Sequence, residues 1–409
     1  MKLLKVDEVE RVQEKIWNIV NNWNLNTEII NISEASGRIL AHDIITKEDI
    51  PGFTRSTVDG YAVFSKDTAA AGDSIPVFLK NIGVIEMGQA SDLEIISGQC
   101  VEISTGGMLP KGANGVVMVE YTENFGEDGV AVSSSISEGE NVVYPNEDVS
   151  KGQLILRKGS KLLPQSIGVL SALGITEIKV YKPLSLTIIS TGDEIVSPEK
   201  PLELGKVRDI NSLALKALAE KNGYSVIDIF VLKDDEDLLR ETVKKAMEKS
   251  DLVAVSGGSS QGKKDITAKV LDNISSPGVF THGMAIKPGK PTIVAYDENS
   301  KTLLIGLPGH PVSAMLVFDI LFNKMIKKLM EVEEELEIPA KVTTNLASSP
   351  GKTTCWPVKL LKDKGGYLAK PIFGKSGLIT SLLGADGYFS VNRNHEGLEK
   401  GDEVWVKLF

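Results

Sequence analysis

The sequence predicts a multidomain α/β protein. Its expected parts are a central doubly wound α/β/α domain with a mainly parallel sheet, a β-rich insert, a helical elongated segment and a small β-barrel-like C-terminal domain. Three observations carry this. From about residue 184, apolar β-runs alternate with helical patterns, the signature of parallel strands joined by crossover helices. Residues 51–147 show only short β-rich runs broken by Gly, Asp and Ser. Residues 339–409 return to short strands and turns, as a small barrel does. At roughly 100–200 residues per domain, the 409 residues leave room for two to four domains.

Taken in order, residues 7–22 read as an amphipathic helix. Val9, Val12, Ile16, Ile19 and Val20 recur at helical spacing behind acidic residues near the start. A second helix-like start falls at Ser33. In the insert the β-runs are Val77-Phe-Leu, Cys100-Val-Glu-Ile, Gly115-Val-Val-Met-Val and Gly129-Val-Ala-Val. Leu162 to Ala172 reads as a helix with Pro164 in its first turn. Leu184 to Ile189 is a strand, Asn211 to Lys221 a helix, Ser225 to Val231 a strand and Glu236 to Glu248 a helix. Leu252 to Val255 and Leu303 to Leu307 are strands, and Val312 to Met330 is one long helix. Glu331 to Glu337 is an acidic run, a solvated helix end or linker. The expected domains are 1–45 with 148–181 (elongated), 46–147 (insert), 182–330 (α/β/α) and 335–409 (C-terminal β).

Composition narrows function. Hydrophobic residues make up 42% and charged residues 24%, an ordinary globular balance. A net charge of -10 argues against nucleic acid, whose phosphates demand a basic face. Cys100 and Cys355 are too far apart for a disulfide framework or a metal-ligand pattern and read as two thiols in a reducing compartment. Acidic residues come too early for a signal peptide, and no apolar run reaches the roughly 20 residues that span a bilayer. The expectation is a cytoplasmic protein without a membrane partner.

In doubly wound sheets, ligands sit at the carboxyl ends of the strands. Three strands here end in unusual loops: Ser190-Thr-Gly-Asp-Glu, Ser256-Gly-Gly-Ser-Ser-Gln-Gly-Lys-Lys-Asp and Gly306-Leu-Pro-Gly-His-Pro. Glycines let backbone N–H groups approach a phosphate, and hydroxyls add donors. One Gly-Gly loop alone is no more than a tight turn; three at one sheet edge indicate an anion site. Asp193, Glu194 and Asp265 beside such a site suit a bridging Mg²⁺, which takes oxygen ligands. Ile286-Lys-Pro-Gly-Lys-Pro places two lysines in a short stiff loop, a suitable oxyanion clamp or else a plain surface turn. Asp59-Gly60, by local chemistry, is only a turn signal.

The whole chain resembles the MoeA family, which includes the E domain of gephyrin. Six motifs follow in that family's order: Ser56-Thr-Val-Asp-Gly-Tyr-Ala, Ser104-Thr-Gly-Gly-Met-Leu-Pro-Lys-Gly-Ala-Asn-Gly-Val-Val-Met, Ser190-Thr-Gly-Asp-Glu, Ser256-Gly-Gly-Ser-Ser, Lys287-Pro-Gly-Lys-Pro and Gly306-Leu-Pro-Gly-His-Pro-Val-Ser. The resemblance implies an enzyme that inserts molybdate, or tungstate, into adenylylated molybdopterin with Mg²⁺ and releases AMP. It implies catalytic roles for Asp59, Asp148, Glu194, Asp234, Asp265 and Lys287, with Glu194 and Asp265 as Mg²⁺ ligands. Ligand-binding roles fall on Thr191, Gly192, Asp193, Ser256, Gly257, Gly258, Ser259, Lys290, Pro308, Gly309, Pro311 and Ser376. Glu147 beside Asp148, and Asp235 beside Asp234, leave open which acid of each pair functions. Two departures stand out: Gly283 where bacterial relatives often carry a second lysine, and His310 where they often carry Asn. The resemblance further implies a homodimer with a site at the subunit interface and a transient contact with the molybdopterin adenylyltransferase. The rivals are an adenylyltransferase-like enzyme, against which residues 1–180 and 339–409 argue, and a non-catalytic gephyrin-like scaffold.

Overall fold

The computed structural model describes residues 6–257, 266–333 and 336–409. Its first helix, α1 (Val9–Val20), buries Val9, Val12, Ile16 and Val20, the stripe that the helical spacing marks. These side chains join the core of the central domain rather than a core of their own. Thr27–Asn31 pairs antiparallel with Glu177–Tyr181. Helix α2 (Pro164–Ala172) packs nearby, with its Pro at the first helical position, where no N–H is needed. Leu40, Ile44, Leu162, Leu170, Ile178 and Val180 form the small core of this elongated part. At Ser33 there is a short 3₁₀ turn, Ile32–Glu34, capped by the Asn31 side chain.

The insert is one six-stranded sheet, in the order Gly115–Met118, Gly60–Val63, Gln99–Ile103, Val77–Ile85, Val130–Val132, Thr122–Asn124. Its two chain crossings pair with each other: Ile50 bridges Val149, and Arg55–Ser56 pairs with Val142–Val143.

The central domain holds a second six-stranded sheet. Its strands are β1 (Leu184–Thr191), β2 (Tyr224–Leu232), β3 (Leu252–Ser256), β4 (Pro277–His282), β5 (Ile293–Asp297) and β6 (Thr302–Leu307). They lie in the order β2-β1-β3-β6-β5-β4. Pairings among β2, β1, β3 and β6 are parallel, whereas β5 runs antiparallel to β6 and β4. Successive residues of the buried strands face opposite layers: Ile188 and Ala254 face one core, Ile189 and Val255 the other. On the first face lie α3 (Asn211–Lys221) and α6 (Pro311–Phe318), contributing Leu215 and Phe318; on the second lie α4 (Glu236–Met247) and α5 (Ile266–Ile274), contributing Val243 and Leu271. Each such fully buried side chain stabilises the fold by about 1.5–3 kcal/mol. The sheet reverses its winding between β1 and β3, which puts the ligand crevice at their carboxyl ends.

The long helix expected over 312–330 is three segments. α6 is followed by a π-helical turn, Asp319–Asn323, and then by Lys324–Leu329. The carboxylate of Asp319 is almost fully buried there. It accepts hydrogen bonds from Tyr388 Oη (2.7 Å), Lys407 Nζ (2.6 Å) and Asn323 Nδ2 (2.9 Å). Burial opposes its charge, but the Lys407 ammonium and these hydrogen bonds outweigh burial and hold its pKa below the usual carboxylate value. Apolar periodicity carries no trace of this anchor.

The C-terminal domain is a closed barrel. Thr353–Asp363 pairs with Gly366–Pro371, then come Ile338–Val342, Glu403–Leu408 and Gly387–Val391, and the last pairs back onto Thr353–Asp363. Ile286–Lys287 of the central domain adds to this barrel, parallel to Thr353–Thr354. No helix of the described residues is long and apolar enough to cross a membrane.

Candidate active site

A cavity of about 1130 Å³ opens between the central sheet's carboxyl edge and the barrel. From the sheet side it is lined by Thr191, Gly192 and Glu194 at the end of β1, by Asp234 after β2, by Ser256 and Gly257 at the end of β3, and by Pro308, Gly309 and His310 after β6. Lys287 and Lys290 form one wall. The barrel contributes Lys352, Trp356, Lys375 and Ser376.

Local sequence explains much of this shape. Gly257 has φ +112°, and a Cβ there would sit 2.1 Å from the Thr191 carbonyl oxygen, so only glycine closes this turn. Gly289, between the two lysines, has φ +121°, and its Cβ would meet Val317 Cγ2 at 2.5 Å. The lysine loop is therefore pressed onto α6. Lys287 is further fixed by the strand pairing with Thr354 of the barrel, and Thr353 N–H donates to the Ala285 carbonyl at 2.9 Å.

The paired acids separate by local chemistry. Asp235 caps α4, accepting from the Leu238 N–H at 2.9 Å, whereas Asp234 lines the cavity. Glu147 accepts from the Tyr144 N–H at 2.8 Å, a local turn contact, and Asp148 is exposed. Asp193 lies beside the cavity without lining it: its carboxylate accepts from the Asp234 N–H at 3.2 Å and its carbonyl from Lys206 Nζ at 2.7 Å. Pro311 is buried in the first turn of α6, behind the lining residues.

Asp59 and Asp148, on the insert and its return, do not line the cavity. Asp59 accepts the Thr105 N–H at 2.6 Å, and that hydrogen bond lowers its pKa and keeps it ionised. Gly258, Ser259 and Asp265 lie outside the described residues. His310 Nδ1 pairs with Ser376 Oγ at 2.8 Å, and the Ser376 carbonyl accepts the Val312 N–H at 3.3 Å. His310 thus ties the loop before α6 to the barrel.

Sequence reasoning missed Asn211, Lys352, Trp356 and Lys375, all cavity-lining. Asn211 starts a helix and reads as an ordinary boundary residue, and the others sit on a barrel strand (Trp356) or in barrel turns (Lys352, Lys375) whose partner across the cavity only the fold reveals. Cys355 also faces this region, but burial pushes its thiol up to about 12, so it is an inert neutral group. Among the described residues no cluster of three or more His, Cys, Asp or Glu side chains could hold a metal. Glu194 and Asp234 nevertheless supply two carboxylates, and Mg²⁺ needs few from the protein when phosphate oxygens and water complete its shell.

Fold and site together define a class of multidomain α/β proteins in which the carboxyl-edge crevice of a doubly wound sheet is roofed by a separate β-barrel. Family models agree along the chain. "MoeA N-terminal region (domain I and II)" matches residues 4–174, "Probable molybdopterin binding domain" residues 187–328 and "MoeA C-terminal region (domain IV)" residues 339–409. The molybdopterin molybdenumtransferase of Haemophilus influenzae is 36% identical over 389 residues, 94% of each chain. That of Bacillus subtilis is 31% identical over 388 residues, covering 93% of this chain and 90% of its own. A crystal structure of the molybdopterin biosynthesis MoeA protein from Pyrococcus horikoshii superposes with TM-score 0.83 at 32% identity, over 99% of this chain and 100% of that one. This chain belongs to the MoeA family of molybdopterin molybdenumtransferases, a family of enzymes.

Proposed function

We propose that the protein works in molybdenum-cofactor biosynthesis, inserting molybdate or tungstate into adenylylated molybdopterin in a Mg²⁺-dependent step that releases AMP. The observation that carries this is that two carboxylates, Glu194 and Asp234, line the same cavity as the lysine loop of Lys287 and Lys290. An oxyanion and a pyrophosphate need cationic donors, and a bridging cation needs the acids. Cavities for small ligands run to roughly 300–1,000 Å³, so about 1130 Å³ suits a bipartite pterin nucleotide.

Glu194, with Asp265, would hold Mg²⁺, which would offset charge on the anhydride as the P–O bond to AMP breaks. Thr191, Gly192, Ser256, Gly257, Pro308 and Gly309 form the bed for phosphate and ring, and Lys287 and Lys290 bind the oxyanion beside Ser376. Asp59 and Asp148 are absent from this chain's own cavity. They enter the site if the insert of a second copy reaches it, as a two-fold homodimer would allow. The test is incubation of the protein with adenylylated molybdopterin, Mg²⁺ and molybdate or tungstate. Metal-dependent AMP release is expected, and Asp265→Asn should abolish it with the fold intact. No release with either oxyanion rejects the reading.

A further inference from the structure

Asn211, the first residue of α3, lines the cavity yet has no role among the residues discussed so far. Its side-chain nitrogen is fully used, donating to Ser256 Oγ at 2.7 Å and to the Gly309 carbonyl at 2.9 Å. A carbonyl only accepts, so the amide's orientation is fixed: Nδ2 faces Gly309 and Oδ1 faces the other way. That Oδ1 is buried and no described residue hydrogen-bonds it; the whole residue is 8% exposed. At the end of β1, against Gly257, lies a second such atom. Thr191 is 4% exposed, its Oγ1 is also buried without a partner among the described residues, and Gly257 leaves no room for a Cβ beside it. Buried polar atoms are nearly always satisfied, and an orphan pair on a ligand cavity indicates partners that arrive with the ligand.

We propose that Asn211 reads the ligand: its Oδ1 accepts a hydrogen bond from a ring amino group, while the Thr191 hydroxyl donates to a neighbouring ring nitrogen. Amino group beside ring nitrogen is the edge of an aminated heterocycle. The inference rests on the pterin-nucleotide reading, in which two such edges exist, one on the pterin and one on the adenine. Exchange of the amino group for a carbonyl would set two acceptors face to face.

The test is binding to the full-length protein of two ligand pairs, each differing in that exchange: pterin-6-carboxylate against lumazine-6-carboxylate, and AMP against IMP. In one pair the amino form should bind the wild type at least roughly tenfold tighter, and the pair that discriminates names the ring. In Asn211→Ala the ratio should fall towards one, whereas a purely structural role for Asn211 would weaken both members alike and leave the ratio unchanged. Should Asn211→Ala fail to fold, Asn211→Ser and the wild-type ratios still decide. Equal binding within both pairs, no binding of any of the four, or a ratio that survives in the variant overturns the proposal. AMP release from adenylylated molybdopterin without discrimination sinks only the role of Asn211. Discrimination in the AMP pair without AMP release sinks only the enzymatic reading.

Discussion

Lys287 shows how much a single residue depends on its setting. Its backbone is a strand residue paired to the barrel, and it lines the same cavity as Glu194 and Asp234 beside a turn that Gly289 presses onto α6. Lys287→Ala removes one charge-assisted hydrogen bond, about 1.5–3 kcal/mol, so half-maximal molybdate should rise roughly ten- to hundredfold. Nucleotide affinity should fall less, and an AMP-release titration at varied molybdate that shows no shift removes Lys287 from the oxyanion site. The acids illustrate what a sequence displays at this scale. Glu147 and Asp148, like Asp234 and Asp235, are chemically alike and adjacent, and only the fold shows Glu147 and Asp235 taken up by local backbone hydrogen bonds while Asp234 lines the cavity. Asn211 shows the opposite case, because an orphan acceptor exists only once the fold has consumed the amide nitrogen.

Among the elements, periodic ones were the most legible. α1, α3 and the central strands follow apolar patterns that burial dictates, and the fold bears out the doubly wound sheet with β insert and terminal barrel. β4 and β5 escaped notice: β4 is short and starts at Pro277, and together with β5 it forms an antiparallel edge that breaks the alternation of strands and helices. The π turn after α6 escaped as well, since its cause, the Asp319 anchor, lies in residues far away in sequence. That anchor gives a testable element. Asp319→Asn leaves the half-buried Lys407 without its counter-charge and should cost up to roughly 3–5 kcal/mol, read as a lowered melting temperature. The sign with pH follows from the lowered carboxylate. Its stabilisation is complete above the ordinary value of 3.8 and is lost as pH falls through the lower folded value. Wild type should lose stability on acidification over that range, and the variant should lose less. Equal acid sensitivity of the two would clear Asp319 of the role.

For the whole molecule, the distance in function between insert and cavity is the main consequence. If a second copy's insert completes each site, Asp59→Asn and Glu194→Gln should complement. Random mixing of the two dead variants makes about half the dimers mixed, each with one intact site, so about a quarter of wild-type activity should return. No recovery, with mixed dimers demonstrated, would place both residues in one subunit's site. Within a single chain, a different dependence arises from the two-residue strand Ile286–Lys287, which takes its hydrogen bonds from Thr353–Thr354 in a barrel that closes only with Glu403–Leu408. Synthesis runs from the N-terminus, and domains fold as they emerge. The central sheet can therefore form on the ribosome while the lysine proposed for the oxyanion still lacks its backbone partner. A nascent chain has a folded crevice but no finished clamp, and competence for chemistry arrives as a late event of translation rather than with the domain that carries most of the site.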